Sequence, residues 1–294
     1  MKYVFLLNRF SLKDNTEKLK EKIEKISRRR KINYVIEVND KDNSTEDILS
    51  KYKNTKNVII AVGGDGTINR VLNSIVGTEN VLGYIPYGTG NDFYKTNKEI
   101  LENGINKIDL VKINDKHFIN IACFGIDADI GNNNDIVHSK IIPKKQRYNM
   151  SLLYNFIKYK PRELEILIND KDIKDDFTTV VVCNGRYYGG GYKIGYNAKL
   201  DDGLLDIYLV PKINKLKTAK LIMSMKKGEH EKSKDITKYQ TNKLTVRSKD
   251  IIDCNIDGEV LSSKEFNIEL IEKGIEVYYD KYLINEVGKI KTKK

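Results

Sequence analysis

The stretch Val58-Ile-Ile-Ala-Val-Gly-Gly-Asp-Gly-Thr-Ile-Asn69 decides how the chain is read. Its first five residues are an unbroken apolar run dense in β-branched side chains, the length of a strand buried on both faces. Gly63-Gly64 break the run, and Ile68, Val71, Leu72 and Ile75 then recur at helical spacing, so the loop lies between a strand and a helix N-terminus. Three glycines let the backbone turn sharply and approach a ligand, while the first turn of a helix presents unpaired N–H groups that suit phosphate. Asp65 stands among those glycines, where a bare carboxylate would repel phosphate unless a divalent cation or its waters intervene. The loop lacks the Lys-Ser/Thr ending of a P-loop and the spacing of GxGxxG. Read alone, it also fits a glycine turn with Asp65 as helix N-cap.

Outward from this loop, strand and helix patterns alternate. Residues 3–7 form an apolar run ending at Asn8, and Leu19, Ile23 and Ile26 mark an amphipathic helix. Residues 34–38 read as a second strand and Ile48-Leu-Ser-Lys-Tyr52 as part of a second helix, while a strand at 81–85 is closed by Pro86. Such alternation predicts a parallel sheet covered by helices on both faces. A second glycine loop, Pro86-Tyr-Gly-Thr-Gly-Asn-Asp-Phe93, follows the next strand. Both loops then emerge at the carboxyl edge of the sheet, where ligands bind. Gly88 and Gly90 permit close approach, and Thr89 and Asn91 can hydrogen-bond phosphate or base. Beyond about residue 108 the pattern changes to short strands at 112–130, 163–169, 178–184, 204–210, 243–246, 251–256, 266–271 and 274–279, with helical spacing only at 153–159 and 216–225. This predicts a mainly antiparallel sandwich and sets a division into 1–110 and 111–294, with the C-terminal tail packing back on the first part.

The 294 residues carry 52 Lys+Arg against 41 Asp+Glu, a net charge of +11 with 40% hydrophobic content, as in a globular protein of one or two cored domains. No apolar stretch approaches the ~20 residues of a bilayer span. Asn8 and Arg9 come too early for a secretory apolar region, so a cytoplasmic protein is expected. Cys123, Cys183 and Cys254 each sit in an apolar run and read as core; His117, His138 and His230 are scattered, without zinc spacing. The positive charge admits nucleic acid, an anionic membrane or a phosphorylated ligand. Basic runs at 28–31, 140–147, 212–227 and 289–294 are dispersed among acidic residues, so a solvated surface accounts for most of them.

The pair GGDGT and PYGTGNDF resembles the diacylglycerol kinase catalytic-domain family of bacterial lipid kinases, relatives of sphingosine and ceramide kinases. Further matches follow in order: Phe118-Ile-Asn120, Phe124-Gly-Ile-Asp-Ala128, Asn184-Gly-Arg-Tyr-Tyr-Gly-Gly-Gly-Tyr192, Ala198-Lys-Leu-Asp-Asp-Gly-Leu-Leu-Asp206 and Asp257-Gly-Glu259. The resemblance spans nearly the whole chain. It implies an NAD kinase/phosphofructokinase-like α/β domain with a parallel sheet, followed by a mainly antiparallel β-sandwich domain for lipid and metal. It also implies phosphorylation of a lipid hydroxyl by ATP with Mg²⁺, foremost diacylglycerol to phosphatidic acid. The nucleotide contacts carried over are Asn8, Ser11, Asn39, Gly63, Gly64, Asp65, Gly66, Thr67, Asn69, Gly88, Thr89 and Asn91. Two of these stand on departures: Asn8-Arg-Phe-Ser11-Leu12 replaces the family's Asn-Pro-x-Ser/Ala-Gly turn, and Asn39 stands for a threonine.

By the same resemblance Glu259 is the catalytic base, with Asp65 beside it in the catalytic set, although Asp257-Gly-Glu259 read alone is a hairpin turn. Lys199-Leu-Asp-Asp-Gly-Leu204 resembles a second, structural magnesium site, with Asp202 giving its side chain and Lys199 and Leu204 their carbonyls. Tyr196 stands where relatives have proline, and Asp127 reads either as lining the substrate cleft or as a structural carboxylate. The implied partners are ATP and a lipid at the inner face of the membrane, met peripherally through 212–227 and the Lys-rich tail; a homodimer is allowed and nucleic acid is not expected. An NAD kinase-type enzyme shares the GGDG loop, but GTGNDF, LDDGLLD and DGE fit the lipid kinases better. An inactive membrane- or nucleic-acid-binding relative is the other alternative, and the presence of Asp65, Thr89, Asp202 and Glu259 argues against it.

Overall fold

The computed structural model describes residues 1–88, 90–125 and 160–288. Thr89, Asp127, His138, the basic run 140–147, the helix read at 153–159 and the tail from 289 lie outside the described residues.

Four parallel strands open the chain: β1 (Lys2–Asn8), β2 (Tyr34–Asn39), β3 (Asn57–Gly63) and β4 (Val81–Pro86), in the order β2-β1-β3-β4. Between them run α1 (Arg9–Leu12), α2 (Thr16–Arg29), α3 (Thr45–Ser50) and α4 (Asp65–Ile75), and α5 (Asp92–Ile100) follows β4. Side chains of β1 alternate between two cores. Val4 and Leu6 pack with Ile68, Val71, Leu72 and Ile75 of α4, while Phe5 and Leu7 pack with Leu19, Ile23 and Ile26 of α2. That alternation places helices on both faces, as a period-2 strand between two apolar helix stripes requires. Register aligns the carboxyl ends: Asn8 lies opposite Asn39, Leu7 opposite Val62, and Gly63 opposite Pro86.

The rest of the described chain is β-rich: β5 (Gly104–Ile113), β6 (Lys116–Phe118), β7 (Ile121–Gly125), β8 (Arg162–Ile168), β9 (Lys171–Cys183), β10 (Tyr187–Tyr188), β11 (Tyr192–Lys193), β12 (Leu205–Pro211), β13 (Thr237–Thr241), β14 (Lys243–Ile256) and β15 (Glu259–Tyr279). Two more helices are α6 (Lys215–Met225) and α7 (Lys281–Gly288). Antiparallel pairing runs β13-β12-β9-β7-β14-β15, with β8 joining β9 to β14 and β5 on β15. The core between them centres on Phe118, Phe124 and Phe266, the last two edge-to-face at 4.9 Å. All three cysteines named above are buried, and none of them forms a disulfide.

Several boundaries differ from the sequence reading. Residues 247–250 and 272–273 read as turns, yet β14 and β15 run through them with register shifts between Arg247 and Ile252 and between Ile271 and Ile275. Polar residues inside a bulge imitate a turn, because a bulge also takes side chains out of the alternating pattern. The segment 112–130 is not one strand; Asn114, at φ +52°, turns β5 into β6, and β7 follows. Helices α5 and α7 were not legible as helices, being short and polar at one end. The 110/111 division falls inside β5. Finally, β15 pairs in parallel with β4, Val277 opposite Leu82, so all the main strands belong to one 13-stranded sheet.

Candidate active site

Gly64, not Asp65, is the N-cap of α4, which corrects the simpler reading of the loop. Asp65 instead reaches sideways: its Oδ1 accepts the Phe93 N–H at 3.1 Å in the first turn of α5. Burial pushes the Asp65 carboxyl above its ordinary range, and neighbouring Asp92 adds to the shift. A β-carbon on Gly88 would stand 2.8 Å from the Gly64 Cα, so the two glycine loops touch backbone to backbone. Asn91 closes the second loop on itself, accepting the Gly88 N–H and donating to the Gly88 carbonyl, each at 2.9 Å. A β-carbon on Gly63 would collide with the Thr67 hydroxyl, which in turn accepts Asn8 Nδ2 at 2.9 Å. Asn8 also caps α1 through the Phe10 N–H at 3.1 Å, and Ser11 Oγ donates to the Asn8 carbonyl at 3.0 Å. Beside it Asn39 donates to Thr45 Oγ1 at 2.5 Å. Asn69 lies one turn into α4 and donates to the His117 carbonyl at 3.2 Å, away from the loop itself.

A carboxylate from the far end of the chain meets this edge. Asp257 and Gly258, at φ +49° and +94°, turn β14 into β15, whose first residue is Glu259. Arg70 of α4 donates to Glu259 Oε1 twice, from Nη2 at 2.9 Å and Nε at 3.2 Å, leaving Oε2 without a hydrogen-bond partner among the described residues. A β-carbon on Gly66 would lie 2.9 Å from that same Oε1, so the carboxylate rests against the first turn of α4. Asp257 anchors the turn: it accepts the N–H groups of Ile119, Asn120 and Ile121 at 2.9, 3.2 and 2.8 Å. Burial pushes its carboxyl up to about 6 against those donors, with Asp65 contributing to the rise. On the other side Asp92 holds Lys95 at 3.0 Å and accepts the Gly190 N–H at 2.7 Å, tying the β10–β11 hairpin to the start of α5.

With this geometry established, similarity to known proteins is decisive. Residues 2–120 match the diacylglycerol kinase catalytic domain family, and residues 120–279, more than half the chain, match the YegS C-terminal NAD kinase beta sandwich-like domain family. The chain belongs to the diacylglycerol kinase-like lipid kinases. A diacylglycerol kinase of Bacillus subtilis is 29% identical over 222 residues, covering 69% of this chain and 71% of that one. A diacylglycerol kinase of Staphylococcus epidermidis is 27% identical over 248 residues, covering 78% and 76%. A crystal structure of a diacylglycerol kinase from Bacillus anthracis shares the fold, with a TM-score of 0.68 at 20% identity over 96% of this chain and 98% of that one.

In this lipid kinase the 199–204 loop is organised by a residue the sequence reading missed. Asp109, fully buried in β5, accepts the Gly203 N–H at 2.9 Å and the Lys273 N–H at 2.8 Å. Its own N–H donates to the Leu200 carbonyl at 2.6 Å. Asp202 Oδ1 accepts the Leu204 N–H at 3.3 Å, and burial raises the Asp202 carboxyl, with Asp109 and Asp201 adding and Lys199 opposing. Crowded carboxylates on an oxygen-bearing tight turn are what a hard cation compensates, whereas at Asp65 and Asp92 the Lys95 ammonium already offsets part of the charge. Among the described residues no group of three or more His, Cys, Asp or Glu is arranged to hold a metal, so any cation at 199–204 needs main-chain oxygens as well. The signal for Asp109 was present, a lone carboxylate in the apolar strand Lys-Ile-Asp-Leu-Val. Arg70 carried a fainter one: it lies four residues after Gly66, hence on the same helix face.

Proposed function

We propose that this lipid kinase transfers the γ-phosphoryl group of ATP to a lipid hydroxyl with Mg²⁺, converting diacylglycerol to phosphatidic acid. The observation that supports this most is Glu259 lying against Gly66. It brings a carboxylate from the β-rich part to the loop that, in the α/β part, suits phosphate. In this reading residues 1–110 hold the nucleotide and residues 111–294 supply the lipid and metal sites. Main-chain N–H groups of Gly63, Gly64 and Gly66 would face the phosphates at the positive end of α4. Asn8, Ser11, Asn39, Thr67, Asn69, Gly88, Thr89 and Asn91 complete the nucleotide side, several of them by shaping the loops rather than by touching the ligand.

Glu259 would accept the acceptor hydroxyl's proton at Oε2 while Arg70 holds Oε1. The hydroxyl oxygen bonds to the γ-phosphorus, the bond from that phosphorus to the β–γ bridging oxygen breaks, and ADP leaves. A positioned base of this kind contributes about 10²–10⁴-fold. Magnesium, when bound, would neutralise charge on the phosphate oxygens, and Asp65 would be the carboxylate that orients it. Asp202 with the Lys199 and Leu204 carbonyls would hold the second, structural cation. The protein would act from the cytoplasm on the inner membrane face. No helix among the described residues is long and apolar enough to cross a bilayer.

The test is transfer of label from ATP in the presence of Mg²⁺ to a lipid panel in mixed micelles, with NAD as a separate acceptor. Label is expected in diacylglycerol and is expected to fall at least a hundredfold in Glu259→Gln. Label in NAD alone would overturn the reading in favour of the NAD kinase chemistry that shares the GGDG loop.

A further inference from the structure

Helix α6 buries one face and leaves the other uncovered. Thr218, Leu221 and Met225 are buried, the last two packing with Tyr208 and Val210. On the opposite face stand Leu216, Lys220 and Met223, and Lys227 continues the i, i+4, i+7, i+11 spacing in the turn just beyond the helix. Leu216 is 85% exposed and Met223 73%, the two most exposed large apolar side chains among the described residues. Residues 212–227 contain six lysines and no acidic residue. Lys212 pairs with Asp176 and Lys217 with Asp235, on the flanks. The two lysines of the outward stripe have no acidic partner among the described residues.

The C-terminal end of α6 lies one hairpin away from the candidate active site. Lys226 Nζ sits 5.3 Å above the Tyr192 ring of β11, and Tyr192 pairs with Tyr188 of β10. The turn between them gives the Gly190 N–H to Asp92, beside Asp65. A lipid presenting its hydroxyl at the site keeps its acyl chains in the bilayer, so the bilayer must touch the protein close by.

We infer that the outward face of α6 docks this protein on an anionic lipid bilayer, with Leu216 and Met223 entering among the headgroups and Lys220 and Lys227 meeting lipid phosphates. The choice of a bilayer as occupant rests on the lipid kinase reading and on the composition of the stripe. A nucleic acid would use the lysines but leave two large apolar side chains in water, whereas an interfacial helix uses both. Each lysine close to an anionic leaflet contributes about a fivefold factor in binding.

The chain contains no tryptophan, so Met223→Trp supplies a single fluorescent reporter. With vesicles of phosphatidylglycerol and phosphatidylcholine its emission is expected to shift to the blue and to be quenched by brominated acyl chains; with pure phosphatidylcholine both effects shrink. In co-sedimentation, Leu216→Ser/Met223→Ser and Lys220→Glu/Lys227→Glu are each expected to weaken binding to the anionic vesicles by on the order of tenfold or more. Melting temperatures should stay at the wild-type value, since all four side chains point outward. Activity on a water-soluble short-chain diacylglycerol should also stay unchanged, while activity on vesicles falls. Wild-type co-sedimentation retained by both variants, absence of wild-type binding, an unshifted Trp emission, or retention of RNA by the Leu216/Met223 variant with no vesicle binding would each overturn the inference. The vesicle measurements need no catalysis, so they stand apart from any failure of the proposed reaction.

Discussion

Gly66 illustrates how one missing methyl group makes room for a side chain from a distant part of the chain. It lies within α4, where alanine is favoured over glycine by about 0.5–1 kcal/mol. Its β-carbon would stand 2.9 Å from Glu259 Oε1, the mobile end of a half-exposed side chain. Gly66→Ala is therefore expected to leave the melting temperature unchanged or slightly raised while kcat falls by tenfold or more, as the carboxylate is displaced from Arg70 and from the helix N-terminus. A parallel loss of stability and activity would show that the glycine serves packing instead. Gly88 differs in kind, because its β-carbon would meet the Gly64 backbone, which cannot swing aside. Both glycines were singled out in the sequence. What each is close to was not readable, since a glycine has no side chain whose polarity or size hints at a neighbour.

The turn between β14 and β15 shows the same limit at the scale of an element. Asp257-Gly-Glu259 has the composition of any Asp-Gly hairpin, and locally it is one. Its importance comes from three N–H groups of residues 119–121 converging on Asp257, which no spacing within the turn encodes. Folded Asp257 holds its proton up to about pH 6, whereas its ordinary pKa is 3.8. Its contribution to stability is therefore full below about pH 4, declines as pH rises to about 6, and is flat above. The urea-unfolding advantage of wild type over Asp257→Asn is expected to be greater at pH 4 than at pH 7, by on the order of 1–3 kcal/mol. An advantage that grows toward pH 7 would mean that the three donors outweigh burial. The bulges in β14 and β15 misled for a related reason: local polarity marks where alternation breaks, not whether the strand continues beyond the break.

At the scale of the whole molecule, β15 and α7 bind the two ends of the chain together. Val277 and Tyr278 pair with β4, Leu283 and Val287 enter the core beneath α2, and Asp280 holds Arg30 at 2.7 Å. Residues 1–113 expressed alone would leave the edge of β4 unpaired and that core open. Such a fragment is expected to show no cooperative thermal transition by circular dichroism, whereas the full chain melts as one; a cooperatively melting fragment would mark the first part as self-sufficient. The sequence by itself determined the strand–helix alternation, both glycine loops, the change to short strands and the burial of the cysteines, because periodicity and glycine placement report local backbone geometry and which face is covered. The tertiary structure alone decided that Arg70 and Gly66 meet Glu259, that Asp109 organises the 199–204 loop, that Asp92 holds Gly190, and that β15 completes the parallel sheet. Those are contacts between segments about a hundred residues or more apart, and a hydrophobic pattern states that a face is buried without stating what buries it.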